Sequence, residues 1–185
     1  MRVISGSARG RKLREPKGMD IRPTADHVKE AVFDIIQFRI PGASVLDLFT
    51  GTGQLGIEAL SRGAARVVMV DQSQEAVKLA RENLRICAFE QRAELVCAES
   101  VSFLRRGERF DVIFLDPPYD GDLLDRAIES ILRFDILKDN GIMVCESRVE
   151  KSLPPLSGPY FFKKEYRYGR IKLTTIVRRQ EEEQT

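Results

Sequence analysis

The segment Phe110–Gly121, FDVIFLDPPYDG, joins an apolar run to a carboxylate, two prolines and an aromatic ring. The run Val112–Leu115 predicts a strand buried on both faces, which the prolines must end because they cannot donate to a strand ladder. A rigid carboxylate just beyond such a strand suits a reaction at an amine. Asp116 and the Pro117 carbonyl can accept hydrogen bonds from both N–H groups of an exocyclic amine. These bonds orient the nitrogen lone pair and stabilise charge developing on nitrogen.

The aromatic ring of the same segment suits a nucleobase. Tyr119 offers a stacking face for a base taken out of its helix or loop, and Pro118 lies beside it as a further substrate contact. We therefore predict a catalytic group of Asp116, Pro117 and Tyr119, with Pro118 and Tyr119 contacting the substrate. The structural alternative is a strand-ending turn with a core tyrosine. This chemistry requires no metal, and with His27 as the only histidine we predict no metal site.

A glycine-rich turn precedes this segment. Val45–Gly56 reads as a strand, a turn and a helix start, and it contains the pattern G-x-G-x-x-G. Asp71 follows Gly51 by 20 residues, at the end of the next predicted strand, where a carboxylate can accept hydrogen bonds from ribose hydroxyls. The pattern predicts a nucleoside bound at the carboxyl edge of an α/β sheet. A tight turn without a ligand is the structural alternative.

The position of Asp47 indicates which nucleoside is bound. A carboxylate ahead of the glycines suits a ligand with a cationic amino-acid tail, and S-adenosylmethionine combines such a tail with a ribose and a transferable methyl group. The predicted contacts of S-adenosylmethionine at this point are Asp47, Thr50, Gly51, Gly53, Asp71 and Gln72.

The elements that position these residues alternate along the chain. Helices are predicted at 54–62, 74–88, 100–105 and 123–134, between strands at 44–48, 67–70, 93–97, 110–115 and 141–146. This alternation predicts a parallel sheet covered on both faces. Two further strands, 161–166 and 171–178, form an antiparallel hairpin. The predicted fold class is therefore α/β, with a mainly parallel seven-stranded sheet, a C-terminal antiparallel hairpin and a small N-terminal extension. That extension is a β-hairpin around residues 6–10 and a helix at 25–38 capped by Thr24.

The overall composition is that of an ordinary globular domain. The 185 residues are 43% hydrophobic and 31% charged. No stretch of 18 residues is apolar, so no membrane span is expected, and the first residues do not resemble a secretory signal. We interpret Cys87, Cys97 and Cys145 as reduced, buried thiols of a cytoplasmic protein.

The net charge of +2 hides two basic ends. Residues 1–22 hold seven Lys or Arg and two Asp or Glu, and residues 161–179 hold seven and one. Two basic ends favour a polyanionic partner. Because residues 1–15 have little apolar content, we expect them to lie outside the core and along phosphates. We therefore predict an RNA-contacting extension at 1–40 and a catalytic domain at 41–180, with substrate contacts from Arg9, Arg11, Lys12 and Arg22.

Motifs along the whole chain resemble one family. The glycine loop and the Asp-Pro-Pro-Tyr segment resemble the class I S-adenosylmethionine-dependent methyltransferases, in particular the amino-methylating branch. The segments RVISGSARGRKL, IRPTADHVKEAVFDII and YGRIKL resemble the bacterial 16S rRNA (guanine-N2) methyltransferases that modify position 966. His27 and Gln54 depart from the family, where arginine and a small residue are usual.

By the resemblance, Glu99, the acid after the third strand, matches the adenine contact, where Asp is usual, and Ser100 is a further cofactor contact. For Glu99, a charge that stabilises a helix N-terminus is an equally open interpretation. The resemblance also implies a Rossmann-like fold and S-adenosylmethionine as cofactor. It also implies methylation of the exocyclic N2 amine of one guanine in 16S rRNA, within small-subunit particles, by a cytoplasmic monomer.

Other functions remain open on the sequence. Asp-Pro-Pro-Tyr also suits methylation of adenine N6 in nucleic acid, and a related motif suits protein glutamine. A DNA enzyme usually needs an added recognition domain, for which residues 1–40 leave little room. An NAD-dependent reductase explains the glycine loop but has no use for Asp116–Tyr119. A nucleic-acid-binding module without activity has no need of Asp47 and Asp116.

Overall fold

The structure is a computed structural model, which describes residues 1–16, 26–119 and 121–180. The described residues form seven strands: β1 Ser44–Asp47, β2 Arg66–Asp71, β3 Ala93–Cys97, β4 Phe110–Leu115, β5 Leu137–Arg148, β6 Tyr160–Tyr168 and β7 Ile171–Arg178. They also form five α-helices: α1 Asp26–Ile36, α2 Gln54–Ser61, α3 Gln74–Cys87, α4 Ser100–Leu104 and α5 Leu123–Phe134. Among these residues no helix is both long and apolar enough to cross a membrane.

All seven strands belong to one sheet, in the order β3-β2-β1-β4-β5-β7-β6. Strands β1 to β5 run parallel, whereas β7 pairs antiparallel with both β5 and β6. The predicted fold class is confirmed. The strand order reverses between β1 and β4, and ligands of open α/β sheets bind at such a reversal, outside the carboxyl ends of the strands.

Helices cover both faces of the sheet. Helices α1, α2 and α3 pack on one face and α4 and α5 on the other. The predicted central strands are buried on both sides, with Val67–Val70 at 0% exposure and Val112–Leu115 at 1% or less. This burial explains why both strands are continuous apolar runs rather than alternating patterns.

Strand β5 begins earlier than the sequence predicted. It starts at Leu137 rather than at 141, and Leu137 is fully buried opposite Phe110. The pairing of β4 with β5 changes register between Phe110 and Val112. Lys138 lies in this stretch and binds Asp111 at 2.9 Å. The polar run that follows Leu137 is typical of a turn, so sequence reasoning could not see this pairing.

The N-terminal segment packs into the core, contrary to expectation. Val3, Ala8 and Leu13 are 1%, 3% and 6% exposed and belong to the core cluster beneath α1, α2 and α3. The predicted hairpin is reduced to one antiparallel bridge between Arg2 and Lys12 with a few loop hydrogen bonds. The expectation that residues 1–15 lie outside the core is therefore wrong, because three well-spaced apolar side chains suffice to anchor the segment.

A buried ionic network completes this anchor. The fully buried carboxylate of Glu58 on α2 accepts hydrogen bonds from the backbone N–H groups of Ile4 and Ser5 at 2.8 and 2.9 Å, and from Arg62 at 2.8 Å. Lys29 of α1, also fully buried, donates to the Arg2 carbonyl at 2.7 Å. Burial lowers the pKa of Lys29, although Glu58 opposes this effect. The network joins the N-terminal segment to two helices.

The cysteines divide into two groups. Cys87 and Cys145 are buried as predicted, and burial raises the pKa of the Cys145 thiol to about 12. Cys97 is exposed, so that prediction is wrong. It ends β3, which is one of the two edge strands of the sheet that the described residues form.

Candidate active site

The ends of β1 and β4 lie side by side at the carboxyl edge of the sheet. Asp47 is opposite Phe114 in the parallel register, and the Leu48 N–H donates to the Phe114 carbonyl at 3.2 Å. The glycine loop after β1 and Asp116 after β4 therefore leave the sheet as neighbours. The two motifs that the sequence singled out belong to one site.

The glycine loop uses backbone conformations that favour glycine. Gly51 and Gly53 have φ values of +51° and +83°, in the left-handed region that favours glycine. A Cβ at Gly53 would lie 2.8 Å from the Met69 side chain and 3.2 Å from Ala80. The loop therefore lies close against β2 and α3, and it has no room for a side chain at this position.

The buried side chain of Asp47 stabilises the glycine loop through hydrogen bonds. It is 2% exposed, and its Oδ2 accepts hydrogen bonds from the Thr50 hydroxyl at 2.8 Å and the Gly56 N–H at 3.0 Å. Burial raises its pKa to about 7; the two hydrogen bonds oppose this shift, and the charges of Asp116 and Asp71 add to it. The predicted contact between Asp47 and the amino-acid tail of the cofactor stays a prediction.

Replacing Asp47 with asparagine will change how stability depends on pH. The folded pKa of about 7 exceeds the unfolded value of about 3.9, so the native state retains a proton that the unfolded state releases. Stability is therefore lost as the pH rises from about 4 through 7. Relative to Asp47→Asn, the parent should lose on the order of 2 kcal/mol between pH 5 and 8. Urea unfolding of both proteins measures this difference, and parallel pH profiles would contradict it.

Asp71 connects the glycine loop to the start of α3. Its two oxygens accept hydrogen bonds from the Gly51 N–H and the Ser73 N–H, each at 2.9 Å. A carboxylate oxygen can accept more than one hydrogen bond, so the group retains capacity for ribose hydroxyls. Gln72, the neighbouring predicted contact, is exposed at the same edge.

Replacing Asp71 with alanine should weaken cofactor binding by roughly 1.5–3 kcal/mol, the scale of hydrogen bonds to a charged group. The loss combines the ribose contacts with the support that Asp71 gives to Gly51. Calorimetry with S-adenosylhomocysteine measures the affinity. Glu75→Ala is the matched control, because it removes an exposed carboxylate one turn further along and should leave the affinity unchanged. Equal affinity of the parent and Asp71→Ala would remove the ribose role.

Glu99 lies at the N-terminus of α4, which is the alternative role that the sequence left open for it. Its carboxylate accepts a hydrogen bond from the Ser102 N–H at 2.8 Å and caps α4, and Arg126 lies 3.7 Å away. Ser100 is buried beside it. Contact of Glu99 or Ser100 with the adenine of the cofactor stays a prediction.

Tyr119 of the Asp-Pro-Pro-Tyr segment contacts two residues of β5. Asp116 is half-buried, Pro117 is buried and Pro118 is exposed. The Tyr119 hydroxyl donates to the Glu146 carboxylate at 2.5 Å, and the Arg148 guanidinium lies 5.6 Å from the centre of the Tyr119 ring.

Sequence reasoning missed both β5 residues. The signal was available for Glu146, which ends the apolar run GIMVC as Asp116 ends VIFL.

Replacing Tyr119 with phenylalanine should reduce turnover less than replacing it with alanine, because stacking on a base uses the ring. The Phe variant still leaves the buried Glu146 with one donor fewer, a loss of about 1–3 kcal/mol in stability. Methyl transfer measures the first effect and thermal unfolding the second. If loss of the hydroxyl alone removes activity while the protein stays folded, the stacking role is wrong.

The predicted substrate contacts of the N-terminal segment lie on the surface. Arg9, Arg11 and Lys12 are exposed, and Arg11 donates to the Ile86 carbonyl at 2.5 Å. Arg22 lies outside the described residues, as does Thr24. The segment thus combines a buried apolar side with an exposed basic side.

Asn83 links this segment to the glycine loop and was missed by sequence reasoning. It is fully buried on α3 and donates to the Thr52 carbonyl at 2.9 Å and the Arg14 carbonyl at 3.2 Å. Its side-chain oxygen accepts from the Arg14 N–H at 2.7 Å. A polar residue on the apolar stripe of α3 was the available signal.

Known proteins resemble the chain over nearly its whole length. A family model described as conserved hypothetical protein 95 matches residues 1–177. Ribosomal RNA small subunit methyltransferase D of Haemophilus influenzae is 37% identical over 83% of this chain and 81% of its own length. The protein of the same name from Escherichia coli K12 is 33% identical over 92% and 86%.

Solved structures agree with this similarity. The yhhF protein of Escherichia coli superposes with a TM-score of 0.88 at 31% identity, over 97% of this chain and 98% of that one. A hypothetical protein of Thermus thermophilus superposes with a TM-score of 0.81 at 32% identity, over 95% and 98%.

Proposed function

The chain belongs to the conserved hypothetical protein 95 family, whose model spans residues 1–177, and on that premise we propose a methyl transfer to rRNA. The methyl group comes from S-adenosylmethionine, and the acceptor is the exocyclic N2 amine of a guanine in small-subunit rRNA. Two relatives named small subunit rRNA methyltransferases support this proposal at 37% and 33% identity.

One observation carries the proposal: the glycine loop and Asp116 leave neighbouring strands at the same edge. The Leu48 N–H donates to the Phe114 carbonyl, which joins the exits of β1 and β4. Asp47, just before the glycine loop, is opposite Phe114, two residues before Asp116. Such proximity is what a direct transfer between two bound molecules requires.

The residues at this edge fit S-adenosylmethionine. Gly51 has left-handed backbone and adds no side chain to the loop, and Asp71 retains acceptor capacity for ribose hydroxyls. When bound, this cofactor supplies an electrophilic methyl group on a sulfonium. Asp47 and Thr50 would hold the loop around it.

Asp116 and Pro117 act on the acceptor amine. An exocyclic amine is a poor nucleophile because its lone pair is delocalised into the base. The Asp116 carboxylate and the Pro117 carbonyl would each accept a hydrogen bond from one of its N–H groups, which turns the lone pair toward the methyl donor. The carboxylate also stabilises the positive charge that develops on nitrogen. Tyr119, held by Glu146, would support the base by stacking.

The substrate in this proposal is rRNA in assembled or assembling small-subunit particles, bound by a monomer in the cytoplasm. Arg9, Arg11, Lys12 and Arg22 would contact phosphates. Within the described parts of the chain, no three His, Cys, Asp or Glu side chains come together as a metal cluster.

The test has two steps. Calorimetry should detect binding of S-adenosylhomocysteine and none of NAD. Tritium transfer from labelled S-adenosylmethionine should then label undermethylated small subunits, with naked 16S rRNA measured alongside. Binding of NAD alone would replace the proposal with a reductase. Labelling of naked rRNA in preference to particles would overturn the particle substrate but keep the methyl transfer.

A further inference from the structure

A basic groove lies along β6, the edge strand on the side of the sheet opposite β3, beside the candidate active site. Its volume is about 590 Å³, and it runs between the segment that follows β5 and the strand β6. The residues that line it are Val149, Glu150, Lys151, Ser152, Leu153, Phe162, Lys163, Lys164, Glu165, Arg167 and Lys172. Nothing in the proposed reaction uses these side chains.

Strand register places one end of this basic groove at the catalytic edge. In the parallel pair of β4 and β5, Leu115 is opposite Cys145, so both strands end at the edge where Asp116 lies. Ile171, the first residue of β7, is opposite both Arg148 and Tyr168. Strand β6 therefore ends at the same edge, and the groove runs away from it.

The chain itself connects this end to the substrate side of the active site. Val149 lines the basic groove and directly follows Arg148, whose guanidinium lies over the Tyr119 ring at 5.6 Å. Arg167 lies one residue before the end of β6. A strand of nucleic acid whose target base stacks on Tyr119 can therefore continue into the groove.

The charge of the groove favours a polyanion. Five cationic and two acidic side chains line it. Lys172 pairs with Glu165 at 3.1 Å, and Lys151 pairs with Asp125. By contrast, the exposed Lys163 and Arg167 form no ion pair with any described residue. These two cations are about 13 Å apart along the strand, so they can contact different phosphates of one backbone.

An exposed aromatic ring lies among these cations. Phe162 is 48% exposed, next to Lys163. An apolar ring of this size usually lies in the core, whereas cations interleaved with an exposed ring are typical of surfaces that bind single-stranded nucleic acid. The ring offers a stacking face to a base of any type.

We propose that the basic groove binds the single-stranded RNA that flanks the target base. Lys163 and Arg167 contact phosphates, and Phe162 stacks on a flanking base. The inference rests on the proposed function and deepens it, since it gives the substrate a path from the catalytic edge along β6. It adds a second RNA contact, across the sheet from Arg9, Arg11 and Lys12.

The test compares Lys163→Ala/Arg167→Ala with the parent, both loaded with S-adenosylhomocysteine. Binding of a small-subunit rRNA fragment is measured over a range of salt concentrations. Loss of two phosphate contacts should flatten the slope of log affinity against log salt by about 1.4 and weaken binding about 25-fold at 0.1 M salt. Phe162→Ala should weaken binding at least about fivefold, and Phe162→Tyr should restore it.

Two control variants accompany the double mutant. Lys78→Ala/Arg81→Ala removes the same charges from the exposed face of α3, at the opposite end of the sheet, and should bind as the parent does. Lys163→Arg/Arg167→Lys keeps both charges and should also bind normally. Equal melting temperatures show that each variant is folded.

The outcomes distinguish failure of the groove proposal from failure of the proposed function. Absence of methyl transfer by the parent removes the proposed function. Transfer by the parent together with unchanged affinity and salt slope in Lys163→Ala/Arg167→Ala overturns the groove alone. Normal binding of naked rRNA with weakened binding of small-subunit particles would assign the groove to an acidic protein segment, which also overturns the proposal.

Discussion

Replacing Asp116 with alanine will reduce methyl transfer to a small residual rate while the affinity for S-adenosylhomocysteine stays within a few-fold of the parent value. The carboxylate acts on the acceptor amine, which is absent when only the cofactor is bound. Removing one preorganised electrostatic group from a reaction centre lowers turnover by on the order of 100- to 1,000-fold. Single-turnover transfer and calorimetry measure the two quantities separately.

Asp116→Asn is the matched variant. Its amide oxygen still accepts one hydrogen bond, but it carries no charge to stabilise the developing positive nitrogen, so turnover should lie between those of the parent and Asp116→Ala. Normal turnover of Asp116→Ala would contradict the amine-orienting mechanism. Loss of cofactor binding in Asp116→Ala would instead place this carboxylate in the cofactor site.

Deleting residues 1–15 will leave a protein that does not fold stably. Burial of Val3 and Leu13 is worth about 1.5–3 kcal/mol each. Glu58 loses hydrogen bonds from Ile4 and Ser5, each worth about 1.5–3 kcal/mol for a charged acceptor. The sum is comparable with the whole stability of a domain, about 5–15 kcal/mol. Circular dichroism and thermal unfolding measure the loss, and a cooperative transition at the parent temperature would contradict it.

The control for this deletion removes charge and keeps the anchor. Replacing Arg9, Arg11 and Lys12 with alanine leaves Val3, Ala8 and Leu13 in the core, so the protein should stay folded. Its RNA affinity should fall, with a salt dependence flatter by about 0.7–0.9 log units per lost phosphate contact. Unchanged RNA binding at several salt concentrations would show that the exposed basic side of the segment is ordinary solvated surface.

Much of the catalytic edge was predictable because its signals are local. The apolar run VIFL ends at a charged residue and two prolines, which fixes both the strand and its exit. Gly51 and Gly53 need left-handed backbone, and Asp71 follows at the end of the next strand. Each feature depends on neighbours in the chain, so the order of elements was enough to bring them to one edge.

The features that sequence reasoning missed depend on partners far along the chain. The N-terminal segment looked too polar to pack, but its backbone donors meet Glu58, more than fifty residues away, in the core. The hydrogen bond between Tyr119 and Glu146 joins the loop after β4 to strand β5. The exposure of Cys97 follows from the place of β3 at the edge. A single sequence shows none of these distances directly.

Identification of the methylated nucleoside tests most directly whether the methyl group reaches the N2 amine of a guanine in small-subunit rRNA. Small subunits labelled by the parent protein with tritiated S-adenosylmethionine are digested to nucleosides, which are separated and identified by mass. We expect the label in N2-methylguanosine, and we expect it to fall to a small residual level when Asp116→Ala replaces the parent. Label in N6-methyladenosine, or in protein rather than RNA, would contradict it.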